Sequence, residues 1–140
     1  MRIVRQGYFL EWDLVRGVRA NHVISVAELT LCFMLGLCRN IFSAGFKLKQ
    51  SNWDKNGGQQ LTGKTVGIIG FGNNGSAFAN VLQGFGVKIL AYDKYLTDYP
   101  FQSNMEEIYK QADIISLHIP LTEETNYLVN NNFINNFFFI

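Results

Sequence analysis

The chain lacks the material that several broad classes of protein require. No block of like charge occurs: 12 Lys and Arg stand against 11 Asp and Glu in 140 residues, a net charge of +1. Neither a polybasic membrane patch nor a nucleic-acid surface is therefore indicated. Long apolar runs are missing too. The most apolar stretch, Leu29–Cys38, is bounded by Glu28 and Arg39 and falls well short of the roughly 20 residues that span a bilayer. The N-terminus alternates charge and bulk without a small-residue cleavage site, so it does not read as a secretory signal. There are two cysteines, Cys32 and Cys38, on one apolar stretch, and their spacing puts them on different faces of a helix. They read as two reduced, packed thiols rather than a disulfide, which points to a reducing, cytoplasmic setting. Histidine is equally scarce: His22 and His118 are the only two.

What is present is enough apolar material, 48% of residues, to fill the core of one ordinary domain. The most informative segment is Thr65–Gly75, TVGIIGFGNNG. A β-branched and apolar run feeds directly into Gly70-x-Gly72-x-x-Gly75, the spacing of a strand that turns sharply and opens a helix with bare amides facing outward. Such a turn accepts the pyrophosphate of a dinucleotide at the helix N-terminus. A second apolar run, Val87–Tyr92, ends in Asp93. A carboxylate at that place accepts from the ribose hydroxyls of an adenosine and repels a 2′-phosphate, which favours NAD over NADP. Taken alone, a GxGxxG is weak, since glycines recur wherever a strand turns into a helix; the flanking elements give it weight.

The surrounding periodicity is that of alternating strands and helices. Thr65–Ile69 reads as a strand, Asn74–Phe85 as a helix with Ala77, Phe78, Val81, Leu82 and Phe85 as its buried stripe, and Gly84 and Gly86 as its stop. Val87–Tyr92 is the second strand, Asn104–Gln111 a short helix and Ile114–Leu117 the third strand. The predicted fold class is α/β: a Rossmann-like three-layer αβα arrangement with a parallel sheet, incomplete, comprising the first mononucleotide-binding half and a long preceding helix. Ser25-Val-Ala-Glu28 has the spacing of a capping box that would start that helix. Behind it the chain is apolar on nearly every face to Phe42, which calls for cover by a partner subunit or a second domain. Gln50–Gly63 is polar and glycine-rich and reads as a loop. Residues 1–20 carry little signal. The tail Asn130–Ile140 is Asn and Phe without charge; a short helix through Phe133, Ile134 and Phe137 would expose phenylalanine if left unpacked.

These residues resemble the NAD-binding domain of the D-isomer-specific 2-hydroxyacid dehydrogenase family, and within it the branch of phosphoglycerate dehydrogenase. The resemblance is carried by Ser25–Glu28 with Arg39, by Leu61–Gly75, by Phe85–Asp93, and by Ala112–Thr122 with Glu124 and Thr125. It covers roughly residues 20–137. It implies that residues 1–24 are the remnant of a linker from a substrate domain and that 25–140 are a partial NAD-binding domain. Backbone amides around Gly70, Phe71, Gly72, Asn73, Asn74 and Gly75 would hold the pyrophosphate of NAD, and Asp93 the adenosine ribose. His118, Ile119 and Pro120 would line the adenine and ribose side, with Thr125 close behind; His118 reads equally well as packed wall. The helix over 26–42 would join two lobes and sit in a homodimer interface.

The resemblance also implies what to look for and not find. In the family an arginine holds the substrate carboxylate, a histidine handles the hydroxyl proton and a glutamate supports that histidine, all beyond the matched segment. No catalytic residue is assigned here, and a small-molecule 2-hydroxy acid would be bound only by a complete enzyme. Unpaired strand edges would be left where the next mononucleotide unit normally follows. Asn74 replaces a usual aliphatic residue; turned inward, its amide would cost roughly 1–3 kcal/mol unless bonded, and the alternative is that it caps the helix or reaches the cofactor.

Overall fold

The computed structural model describes residues 2–5, 19–53 and 57–137. The elements in order are β1 (Arg2–Arg5), α1 (Arg19–Cys38), α2 (Ile41–Lys49), β2 (Thr65–Ile69), α3 (Asn73–Leu82), β3 (Lys88–Tyr92), α4 (Met105–Gln111), β4 (Ile114–Leu117) and α5 (Asn131–Asn135). All strand pairs are parallel, in the order β1-β4-β2-β3.

Alternation along each strand splits the interior into two cores. Val66 and Ile68 of β2, Ile89 and Ala91 of β3 and Ile114 of β4 face one side, with Ala27, Met34 and Cys38 of α1 and Ala77, Phe78 and Leu82 of α3. Ile69, Leu90, Ile115 and Leu117 face the other, with Ile108 of α4 and Phe133 and Phe137 at the end of the chain. A sheet whose strands are apolar on both faces must be covered on both, which is the αβα layering expected of parallel strands.

Several boundaries differ from those predicted. The capping box does not form a helix start: α1 begins at Arg19, so Ser25 and Glu28 lie within it. The helix extends upstream because Val23 packs against the core, and tertiary packing of that residue outweighs the local capping signal. The helix also stops short of Phe42. Asn40 adopts a left-handed conformation (φ 54°), and α2 leaves at 67° to α1. Of the two thiols, Cys38 is buried and Cys32 exposed, so only one is packed.

The sheet edges are less open than the sequence implied. β1 pairs with β4 in register over Arg2–Arg5 and Ile114–Leu117, covering the edge at which another strand would be expected. On the other side Gln102 forms a parallel bridge with Ala91, and the Ala91 N–H donates to the Phe101 carbonyl at 2.8 Å. Residues 6–18, most of the segment read as a linker, lie outside the described residues, as do 54–56 of the predicted loop and 138–140 of the tail. The rest of the tail is packed. Phe133 and Phe137 are buried edge-on to Tyr109, with ring centroids 5.9 and 4.8 Å away, while the neighbouring asparagines face water. Asn130 caps α5 by accepting from the Phe133 N–H at 2.9 Å.

Candidate nucleotide-binding site

β2, β3 and β4 end side by side, and backbone hydrogen bonds lock their ends together. The Gly70 N–H donates to the Tyr92 carbonyl (2.8 Å) and the His118 N–H to the Ile69 carbonyl (2.7 Å). Between them the glycine turn rises. Gly70 has φ +92°, and a Cβ there would lie 2.6 Å from the His118 carbonyl oxygen; a Cβ on Gly75 would lie 2.0 Å from the oxygen of Gly70. Both positions therefore require glycine, the first for conformation and approach and the second for close seating of α3 on the turn. Gly72 differs, since a Cβ on it would meet nothing within 4 Å. It is the N-cap of α3 and has no side chain to bond the first-turn amides. The N–H groups of Asn73, Asn74 and Gly75 thus have no intrahelical acceptor, and the backbone there is open to an anion.

Asp93 is fixed by three main-chain donors. Its Oδ2 accepts from the Phe71 N–H at 2.8 Å, and its Oδ1 from the N–H groups of Tyr95 (2.9 Å) and Leu96 (3.1 Å). Burial alone would push the carboxyl up, but these hydrogen bonds to the charged form prevail and hold its pKa below the ordinary value. An ionised carboxylate has about four acceptor positions, so capacity remains for a ribose hydroxyl. The Phe71 amide is already engaged, which narrows the pyrophosphate-facing amides to those of the first turn of α3. Asn74 is exposed, so of the two alternatives its side chain is not turned inward: it sits in the open first turn of α3, and Ala77 and Phe78 fill the interior.

On the other side, the His118 Nε2 is hydrogen bonded to the Ser116 Oγ at 2.8 Å, and the ring sits 5.3 Å from that of Phe78. Burial drives its pKa down to about 4, so it is neutral at pH 7. Its Nδ1 is out of water contact and has no hydrogen-bond partner among the described residues, so the ring serves here as packed interior beside Phe78 and Ser116. Ile119 is half-buried and Pro120 exposed. Thr125 braces the loop that follows: its hydroxyl donates to the Pro120 carbonyl at 2.7 Å and accepts from the Thr122 N–H at 2.8 Å.

Tyr99 is a participant that the sequence reading did not single out. Its hydroxyl accepts from the Asp93 N–H at 2.8 Å and donates to the Ala91 carbonyl at 3.3 Å, and its ring stacks on Phe71 at 4.9 Å. It therefore anchors both the residue that carries the carboxylate and the residue that donates to it. No spacing rule marks Tyr99; the one hint is an aromatic beside Pro100 in the short segment after Asp93. The bare helix start and the spare acceptor on Asp93 together fit the adenosine and pyrophosphate of a dinucleotide.

Comparison with known proteins is consistent with this geometry. Residues 31–137 match the family described as D-isomer specific 2-hydroxyacid dehydrogenase, NAD binding domain. Hydroxypyruvate reductase of Thermotoga maritima is 45% identical over 111 residues, covering 76% of this chain and 36% of that protein. D-3-phosphoglycerate dehydrogenase of Methanocaldococcus jannaschii is 39% identical over 115 residues, covering 76% of this chain and 22% of the relative. Among solved structures, the NAD-dependent formate dehydrogenase of Staphylococcus aureus in complex with NAD superposes with a TM-score of 0.75 at 30% identity, over 82% of this chain and 37% of that one. The chain thus spans between a fifth and two fifths of the length of these relatives.

Proposed function

The chain belongs to the D-isomer-specific 2-hydroxyacid dehydrogenase family as an NAD-binding oxidoreductase domain, and from that premise we propose that it holds the adenosine-and-pyrophosphate half of NAD for oxidation of the CH–OH group of a D-2-hydroxy acid such as 3-phosphoglycerate. The observation that carries this reading is the bond from the Phe71 amide to Asp93, which joins the glycine turn to the ribose-side carboxylate in one rigid unit. The first-turn amides of α3 would bind the pyrophosphate, Asp93 the ribose, and His118, Ile119 and Pro120 the wall beside them. The nicotinamide, when bound, supplies the hydride chemistry.

We further propose that the chain is inactive by itself. The one histidine at the site is neutral, with a pKa near 4, and is packed against Phe78; such a group is poorly suited to exchange the hydroxyl proton at pH 7. Calorimetric titration of NAD tests the binding reading, with a dissociation constant expected well below about 1 mM and no saturable binding up to about 1 mM overturning it. Nicotinamide reduction in the presence of 3-phosphoglycerate, D-lactate or glycerate would overturn the inactivity.

A second reading rests on the flank of the domain. α1 and α2 expose Leu29, Phe33, Ile41, Phe42, Phe46 and Leu48, with Phe33 and Phe42 6.3 Å apart. We propose that this flank is the contact surface of a homodimer. Among the described residues no single helix is long and apolar enough to cross a membrane. The free thiols Cys32 and Cys38 suit a reducing compartment such as the cytoplasm.

A further inference from the structure

The rim of the sheet carries an ion pair that the cofactor reading does not use. Lys94 follows Asp93 directly at the end of β3, and its ammonium is bonded to the carboxylate of Glu124 on the loop after β4. The same ammonium lies 5.4 Å from the centre of the Tyr95 ring. Because β2 lies between β3 and β4, the pair joins loops on either side of the strand from which the glycine turn rises. Its hydrogen bond raises the pKa of Lys94 and lowers that of Glu124, so both groups are charged at neutral pH. The side chains are 56% and 64% exposed, and an ion pair so open to water adds little to the stability of a fold. What the pair does is fix a position. Glu124 precedes Thr125, whose hydroxyl is bonded to both Thr122 and Pro120, so the carboxylate is presented from a braced turn.

A ribose seated on Asp93 would lie beside the segment that continues from that residue, and the first residue of that segment is Lys94. A lysine ammonium there is the group that a 2′-phosphate would recruit, since it is compact, mobile and cationic. Asp93 alone therefore leaves the discrimination incomplete, because an attracting charge stands next to the repelling one. We infer that Glu124 is a specificity-determining residue: by holding and neutralising Lys94 it removes the cation that would otherwise accept a 2′-phosphate, and so secures the preference for NAD over NADP. The inference rests on the adenosine site proposed above and deepens it.

The test is calorimetric titration of the wild-type chain, of Glu124→Gln, and of Glu124→Gln combined with Lys94→Met, each with adenosine 5′-monophosphate and with adenosine 2′,5′-bisphosphate. Glu124→Gln should improve the affinity for the bisphosphate relative to the monophosphate by about five- to tenfold at low salt, the scale of one exposed cation freed to face a phosphate. The gain should disappear in the double variant and shrink at high salt. Monophosphate binding with an unchanged ratio in Glu124→Gln would overturn this inference alone, as would a gain that survives Lys94→Met. Failure of the wild-type chain to bind the monophosphate would overturn the adenosine site and this inference with it.

Discussion

Two helices of this domain, α3 and α2, show opposite relations to the sheet. α3 buries Gly75, Ala77, Phe78, Ala79 and Leu82 and starts from a turn in which two glycines leave no room for a Cβ. α2 is of similar length and buries none of its residues, although Ile41, Phe42, Phe46 and Leu48 are all large and apolar. Composition alone would rank both as core helices. The difference is that α3 has the sheet and α1 beneath it, whereas α2 turns away from the end of α1 at a left-handed asparagine. Apolar content shows that a helix is to be covered; it does not say that the same chain covers it.

The sharpest way to break this contrast is on the α3 side. Gly75→Ala places a methyl group 2.0 Å from the Gly70 oxygen, which backbone atoms cannot yield without opening the turn. We expect a loss of about 3 kcal/mol or more in urea denaturation, together with loss of NAD binding. A stable variant that binds nucleotide normally would show that the turn is looser than described.

Next in size is a pH effect located beside the same turn. The folded pKa of His118, about 4, lies below its ordinary 6.5, so the unfolded chain takes up the proton first as pH falls. The stabilising difference is fully present above about 6.5 and is lost progressively down to about 4. It amounts to about 3 kcal/mol at most. Urea midpoints measured between pH 7.5 and 4.5 should fall along that course, and the slope should flatten in His118→Gln. An equal slope in the variant would assign the effect to other groups.

A smaller effect is expected from Tyr99→Phe, which keeps the ring on Phe71 but removes the hydroxyl that bonds the Asp93 N–H and the Ala91 carbonyl. The cost should be about 1–2 kcal/mol, with weaker nucleotide binding. Unchanged binding would mean that Asp93 holds its place through Phe71, Tyr95 and Leu96 alone.

The contrast also explains what could be read from residue order. β2, the glycine turn, β3 leading into Asp93, and β4 leading into His118 are legible because strand alternation, glycine spacing and an acid just past a strand end are local rules. The bond from Phe71 to Asp93 joins residues 22 apart in the chain and follows only once β2 and β3 are paired. Tyr99 lies in a segment with no period. The start of α1 was misplaced because Ser25 and Glu28 carry a valid capping pattern that the packing of Val23 overrides. What packs Phe133 and Phe137 is not legible in the tail itself, because Tyr109, which covers them, comes from a different helix. The pairing of Arg2–Arg5 with β4 had no signal at all in an N-terminal segment interrupted by charge. In each case the missing information was the identity of a distant partner.

The smallest stability effect is expected on α2, and it bears most directly on the contrast. Phe46 is 64% exposed, so Phe46→Ser removes a side chain that contributes little to the interior of this chain. Its stability at concentrations where the chain is monomeric should stay within about 0.5 kcal/mol of wild type. If the flank of α1 and α2 is a homodimer surface, the same variant should shift the molar mass measured by light scattering from dimer towards monomer, because large aromatic side chains dominate such contacts. Unaltered association would remove Phe46 from any interface, and a large loss of monomer stability would show that α2 is packed like α3. A loss of association without a loss of fold would show instead that the apolar face of α2 serves a surface between chains, whereas that of α3 serves the interior.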